Sequence, residues 1–293
     1  MTKFYGTGVA IITPFNNDLS VDHQALSDLV DFNIDNGTDY IVISGTTGES
    51  VTISSVEKQQ IIDTIVNANK GRVPLVLGVG GNNTAQVISE IEATDLSQID
   101  AILSVSPYYS KPQQEGIYQH FKAVSEASPV AIILYNVPGR TSSNMSVGTT
   151  LRLARDFQNI IAIKEAGNSV HQYLELLRDK PEDFLVISGD DDLALGVVLA
   201  GGAGVISVLG QAITKEFTTM IRLGLQGKAK EAYAIHFKLM NLTSLIFSEN
   251  NPAGVKAVLS ALDLSKPIVR LPLVEASDQL KKEIHSALKT LSL

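Results

Sequence analysis

Eight short apolar runs, at residues 9–13, 40–44, 75–79, 101–105, 130–134, 160–163, 185–188 and 205–208, each end in small or turn-forming residues. Between them lie stretches of helical period, such as 54–69, where Val56, Ile61, Ile62 and Ile65 recur every third or fourth residue among polar ones. Strands alternating with helices pair in parallel, and a parallel sheet is covered by helices on the outside. Eight such strands are the number that closes a barrel, so the pattern predicts a (β/α)8 TIM barrel, with a doubly wound open sheet as the alternative. Beyond Lys215 no comparable β-branched run occurs. We expect residues 1–225 to form the barrel and residues 226–293 a C-terminal helical domain.

A net charge of -8, without clustered Lys and Arg, argues against a nucleic-acid partner, which needs cations on phosphates. The chain has no cysteine, which excludes disulfides and thiolate catalysis and fits a reducing cytoplasmic setting. The N-terminal residues have no apolar run followed by a cleavage site, so no secretion signal is expected. Residues 193–213 carry no charge over a length that would span a bilayer, yet glycines at 196, 201, 202, 204 and 210 divide them into a predicted short helix, a turn and a strand. No membrane partner is expected.

Lys164 interrupts an apolar segment, 160–167, that reads as a strand buried on both faces. Period two places Lys164 beside Ala162, with Ile161 and Ile163 pointing the other way. An amine removed from water favours its neutral form, the form that attacks a carbonyl. The competing reading is a lysine that snorkels to the strand end or pairs with Glu165. Catalytic groups of such barrels lie at the carboxyl ends of strands. There the second strand ends in Gly45-Thr-Thr-Gly-Glu49, either a cradle of N–H groups for a carboxylate or phosphate, or a turn that caps the next helix. The fourth strand ends in Pro107-Tyr-Tyr109, two adjacent phenols that must diverge. The fifth ends in Tyr135-Asn-Val-Pro-Gly-Arg140, which offers a phenol near Lys164 for proton relay and a guanidinium for a carboxylate. Aromatic packing and a surface arginine are the alternative. Gly78-Val-Gly-Gly-Asn-Asn83 lacks the third glycine of a dinucleotide loop, and Asp190-Asp-Asp192 suits helix capping better than a divalent ion. The histidines at 23, 120, 171, 236 and 285 lack metal-ligand spacing. No metal and no cofactor are expected.

Together, Gly45-Thr-Thr-Gly-Glu-Ser50, Pro107-Tyr-Tyr109, Tyr135-Asn-Val-Pro138 with Arg140, Ile163-Lys-Glu-Ala166 and Gly204-Val-Ile-Ser-Val208 resemble the dihydrodipicolinate synthase family, over the whole barrel. That family belongs to the pyruvate-dependent class I aldolases, with N-acetylneuraminate lyase. The resemblance implies a lyase of lysine and diaminopimelate biosynthesis that condenses pyruvate with aspartate 4-semialdehyde to 4-hydroxy-tetrahydrodipicolinate through an imine on Lys164. It implies a proton relay of Tyr135, Thr46 and Tyr109, the last reaching in from a second subunit. It also implies main-chain N–H groups of Thr46 and Thr47 on the pyruvate carboxylate, Arg140 on the aldehyde's carboxylate, and Gly189 and Ile206 lining the pocket. A homotetramer built as a dimer of dimers is the family's common assembly.

The chain departs from the family at the cleft where lysine-regulated members bind lysine. Asn82 and Tyr108 match, but Ser55 and Lys58 stand where histidines are frequent, and Gln86 replaces a glutamate. Weak or absent lysine feedback is expected, since a cationic amino acid loses an anion and gains a cation there. Two other functions stay open: another pyruvate aldolase acting on a sugar acid, such as N-acetylneuraminate lyase, and a non-catalytic barrel that binds a keto acid. Arg140 suits a short carboxylated aldehyde, and a mere binder has no need of an amine in register with a relay.

Overall fold

A computed structural model describes residues 2–291, and its eight strands close into a parallel barrel in sequence order. The elements run β1 (Gly6–Ala10), α1 (His23–Asp35), β2 (Tyr40–Ile43), α2 (Ser55–Asn69), β3 (Leu75–Gly78), α3 (Thr84–Ala93), β4 (Ala101–Val105) and α4 (Gln114–Ala127). They continue with β5 (Ala131–Asn136), α5 (Pro138–Thr141), α6 (Val147–Asp156), β6 (Ile160–Glu165), α7 (Val170–Asp179), β7 (Leu185–Ser188), α8 (Ala194–Leu199), β8 (Gly204–Ser207) and α9 (Thr214–Leu225). Three further helices follow, α10 (Ala229–Ser248), α11 (Ala253–Ala261) and α12 (Asp278–Thr290). Residues 193–213 form a short helix, a turn and a strand, as their glycines predict, and no helix among the described residues is long and apolar enough to cross a membrane.

Side chains alternate between two apolar layers. Val42, Val76, Leu103, Ile133, Ile187 and Ile206 fill the lumen, while Ile41, Leu77, Ile102, Leu134, Ile163 and Val186 pack outward against the helices. Continuous apolar runs are what a strand with two buried faces requires. Punctuation at the helix ends is equally local: Ser54 and Glu57 form a capping box that starts α2.

Two expectations need correction. The first strand begins at Gly6, not Val9, because Gly6 and Gly8 lie on the lumen side with Ala10, where the buried Tyr40 ring occupies the space that a side chain at position 8 would take. The second concerns Ile161, which packs with the lumen cluster and not with Ile163. A bulge explains it: Ile132 pairs with Ile160 but Ile133 with Ala162, so one residue of β6 has no counterpart on β5 and the alternation resets.

Candidate active site

Downstream of that bulge the register places Lys164 between Tyr135 of β5 and Ile187 of β7. Its side chain runs up the lumen, 5% exposed, with Nζ 4.5 Å from the centroid of the Tyr135 ring. The amine makes no hydrogen bond or ion pair among the described residues. Glu165, the partner offered by the competing reading, faces the opposite way. Its carboxylate accepts from Asn136 Nδ2 (2.9 and 3.1 Å), Gln172 Nε2 (2.9 Å) and the Gly167 N–H (2.7 Å), and burial raises its pKa. Tyr173 donates its hydroxyl to the Glu165 carbonyl, so β6 is tied down on its outer side while Lys164 is left unengaged on the inner.

Room for the amine comes from Gly189, at the end of β7. A Cβ there would lie 2.9 Å from Lys164 Cε and 2.6 Å from Ala166 Cβ. Ile206 of β8 is fully buried in the same lumen cluster as Tyr135. The Gly45–Glu49 motif is a loop, not the cap of α2, since Ser54 does the capping and a 3-10 turn, Ser50–Thr52, intervenes. Gly48 and Glu49 donate their N–H groups back to Gly45 O and Thr46 O, whereas those of Thr46 and Thr47 have no acceptor among the described residues. Two adjacent free N–H groups form an anion cradle in which no side chain need be charged.

Thr46 and Tyr135 line one cleft of about 660 Å³, together with Tyr108, Lys58 and Gln86. Thr47 lies beneath, its side chain buried and its hydroxyl accepting from Asn251 Nδ2 at 3.0 Å. Arg140 is exposed on α5 above β5, and its guanidinium makes no hydrogen bond among the described residues. Tyr109 stands apart from this group. It is 88% exposed in a left-handed conformation (φ 69°) and does not line the cleft.

Sequence reasoning missed the residues behind the site. Lys256 sits in the otherwise apolar α11, the same signal that singles out Lys164, but its Nζ is 2.5 Å from Glu49 Oε1 and also donates to Ile268 O at 2.8 Å. Burial pulls its pKa down to about 8, opposed by Glu49. With its protons committed to two acceptors, Lys256 is a structural cation, whereas the Lys164 amine is left unbonded among the described residues.

The aspartates after β7 also divide their work. Asp190 turns the chain into α8 by accepting from Asp192 and Leu193 N–H groups, whereas Asp191, fully buried, accepts from Val208 (3.1 Å) and Leu209 (2.8 Å) beyond β8. Burial lifts the Asp191 carboxyl to about 6 against those hydrogen bonds. A folded pKa above the unfolded one gives stability that is present below about pH 4 and lost as pH rises through 6. Asp191→Asn should therefore gain in melting temperature relative to the parent as pH rises from about 4 to 7. A pH-independent difference would show that Asp191 does not titrate in that window.

The comparisons with known proteins converge. Residues 3–291 match the Dihydrodipicolinate synthetase family. A 4-hydroxy-tetrahydrodipicolinate synthase of Flavobacterium psychrophilum is 56% identical over 292 residues, covering 100% of both chains. That of Parabacteroides distasonis is 48% identical over 98% of this chain and 97% of its own. The crystal structure of dihydrodipicolinate synthase from Aquifex aeolicus superposes with a TM-score of 0.95 at 38% identity, covering 99% of each chain. Barrel, strand-end chemistry and full-length identity lead to one assignment: this chain belongs to the dihydrodipicolinate synthetase family.

Proposed function

We propose that this chain is a 4-hydroxy-tetrahydrodipicolinate synthase that joins pyruvate to aspartate 4-semialdehyde. The observation that carries the reading is the buried, uncommitted amine of Lys164 beside the Tyr135 phenol. Lys164 attacks the pyruvate ketone, water leaves, and the protonated imine withdraws electrons from the adjacent methyl. Loss of a methyl proton gives the enamine, whose carbon bonds to the aldehyde of the second substrate. The substrate amine then adds to the imine carbon and displaces Lys164, closing the ring. Tyr135 and Thr46 pass protons, completed by the partner subunit's Tyr109. The free N–H groups of Thr46 and Thr47 hold the pyruvate carboxylate. Arg140 receives the carboxylate of the semialdehyde, with Gly189 and Ile206 shaping the wall. The working assembly is a homo-oligomer, which we take to be a tetramer, and Tyr109 gives a physical reason for at least a dimer.

Incubation with pyruvate and each candidate aldehyde tests the assignment. Consumption of aspartate 4-semialdehyde is expected. Turnover of N-acetylneuraminate with no reaction of the semialdehyde would move the chain to the sugar-acid aldolases.

The cleft also bears on regulation. Lys58 Nζ donates to Gly78 O at 2.9 Å and pairs with Glu90, so a cation already occupies this wall. Its presence, with Gln86 in place of an anion, disfavours free lysine by about 1 to 3 kcal/mol if the site is desolvated. Lysine at about 1 mM should leave the rate unchanged, and inhibition in the micromolar range would contradict this.

A further inference from the structure

The loop that carries the Thr46 and Thr47 N–H groups is bracketed by two side chains in the left-handed region, Ser44 (φ 53°) and Glu49 (φ 56°). Such backbone is strained and persists only where its surroundings over-determine it. Here the surroundings come from the far end of the chain. Glu49 Oε1 pairs with Lys256 of α11 at 2.5 Å, with side chains 1% and 0% exposed, and Glu49 Oε2 accepts the Arg270 N–H at 2.9 Å. Asn251 Nδ2 donates to Thr47 Oγ1 at 3.0 Å. From the barrel side Thr13 donates its hydroxyl to Gly48 O at 2.7 Å. The Phe15 ring closes the chamber, 4.3 Å from Lys256 Nζ and 4.4 Å from the Arg270 guanidinium.

A fully buried ion pair adds little net stability over apolar residues of the same volume, so stability alone does not explain one at this place. What the pair does supply is direction. With both carboxylate oxygens and the Thr47 hydroxyl held, the backbone between residues 46 and 49 has little freedom to rotate its N–H groups away from the lumen.

We propose that Asn251, Lys256 and the Arg270 backbone amide are positioning residues: the segment after the barrel holds the Gly45–Glu49 loop in the one shape that aims the Thr46 and Thr47 N–H groups at the substrate's carboxylate. This rests on the imine reading given above. None of the three touches substrate. Their effect falls on recognition of the keto acid and not on the carbon-bonding chemistry at Lys164.

The test uses the full chain, with borohydride trapping of the imine across a range of pyruvate concentrations. Hydroxyacetone, which has the same skeleton with an alcohol in place of the carboxylate, runs alongside. Two variants are compared with the parent: Asn251→Ala, and Glu49→Gln combined with Lys256→Met, which leaves no unpaired buried charge. Circular dichroism confirms folding, and Asn251→Ala carries the test alone if the double variant does not fold. The expected result is about tenfold more pyruvate for half-maximal trapping, the loss of one or two hydrogen bonds to the loop, with trapping by hydroxyacetone changed less than about twofold. The saturated rate stays within about threefold. Unchanged pyruvate dependence in folded variants overturns the proposal, and so does an equal loss for both ketones, which would mark a general structural role. No imine in the parent protein would instead overturn the site reading on which this inference stands.

Discussion

Replacing Lys164 by Ala is expected to lower kcat/KM by about a thousandfold or more, the scale on which a covalent nucleophile and its proton relay act together. Melting temperature should change little or rise, because the amine makes no hydrogen bond or ion pair among the described residues and no partner is stranded by its loss. Steady-state rates and a thermal melt on the same preparation check both halves. The contrast with Lys256 sharpens the expectation. Removing that amine alone would leave the Glu49 carboxylate buried with no counter-charge, a change that costs about 3–5 kcal/mol in other buried pairs. A full rate in Lys164→Ala would mean that the imine forms elsewhere or not at all.

Gly8→Ala should be strongly destabilising, by at least about 3 kcal/mol, at the upper end of overpacking. A Cβ at position 8 would lie 2.1 Å from Cε2 and 2.3 Å from Cζ of Tyr40. The ring has no room to withdraw. It is fully buried, packs edge-on against Phe4 at 5.5 Å, and donates its hydroxyl to Val205 O at 3.3 Å. Denaturant melts of Gly8→Ala, Tyr40→Leu and the double variant check the claim. The double variant should lose less than the sum of the two single changes, because the smaller side chain vacates the space the new methyl needs. Simple additivity would show that the two positions do not compete for the same volume.

The same contact explains where sequence reasoning stopped. Apolar runs located the strands with two apolar faces closely, β4 and β7 to the residue. They failed at β1, whose lumen side carries glycines because a tyrosine from the next strand fills the space. Periodicity likewise put Lys164 in the lumen beside Ala162, yet misplaced Ile161, because a one-residue bulge is a property of two strands together and leaves no mark on either alone.

The site was legible to the extent that its residues lie at strand ends. Lys164 and Tyr135 follow from that rule, Gly189 and Ile206 only from the family resemblance, and the lumen contains all four. The turn at 45–49 admits two uses from its sequence, and the structure excludes the helix cap, since Ser54 caps α2 and the Thr46 and Thr47 N–H groups have no acceptor among the described residues. Its anchors, Asn251, Lys256 and Arg270, are more than 200 residues away along the chain, a separation that no local pattern spans. A lysine amid apolar residues in α11 was the visible hint. It reads the same as Lys164 until partners are known: Lys256 is bonded to Glu49 and the Ile268 carbonyl, and Lys164 has no such partner among the described residues.

The proposed chemistry turns on Lys164 forming an imine with a keto acid. Borohydride reduction in the presence of pyruvate, followed by peptide mapping by mass, addresses it directly. The expected result is one reduced pyruvate per chain, on the peptide that carries Lys164 and on no other. An adduct on Lys256, or folded protein with no adduct, would contradict it.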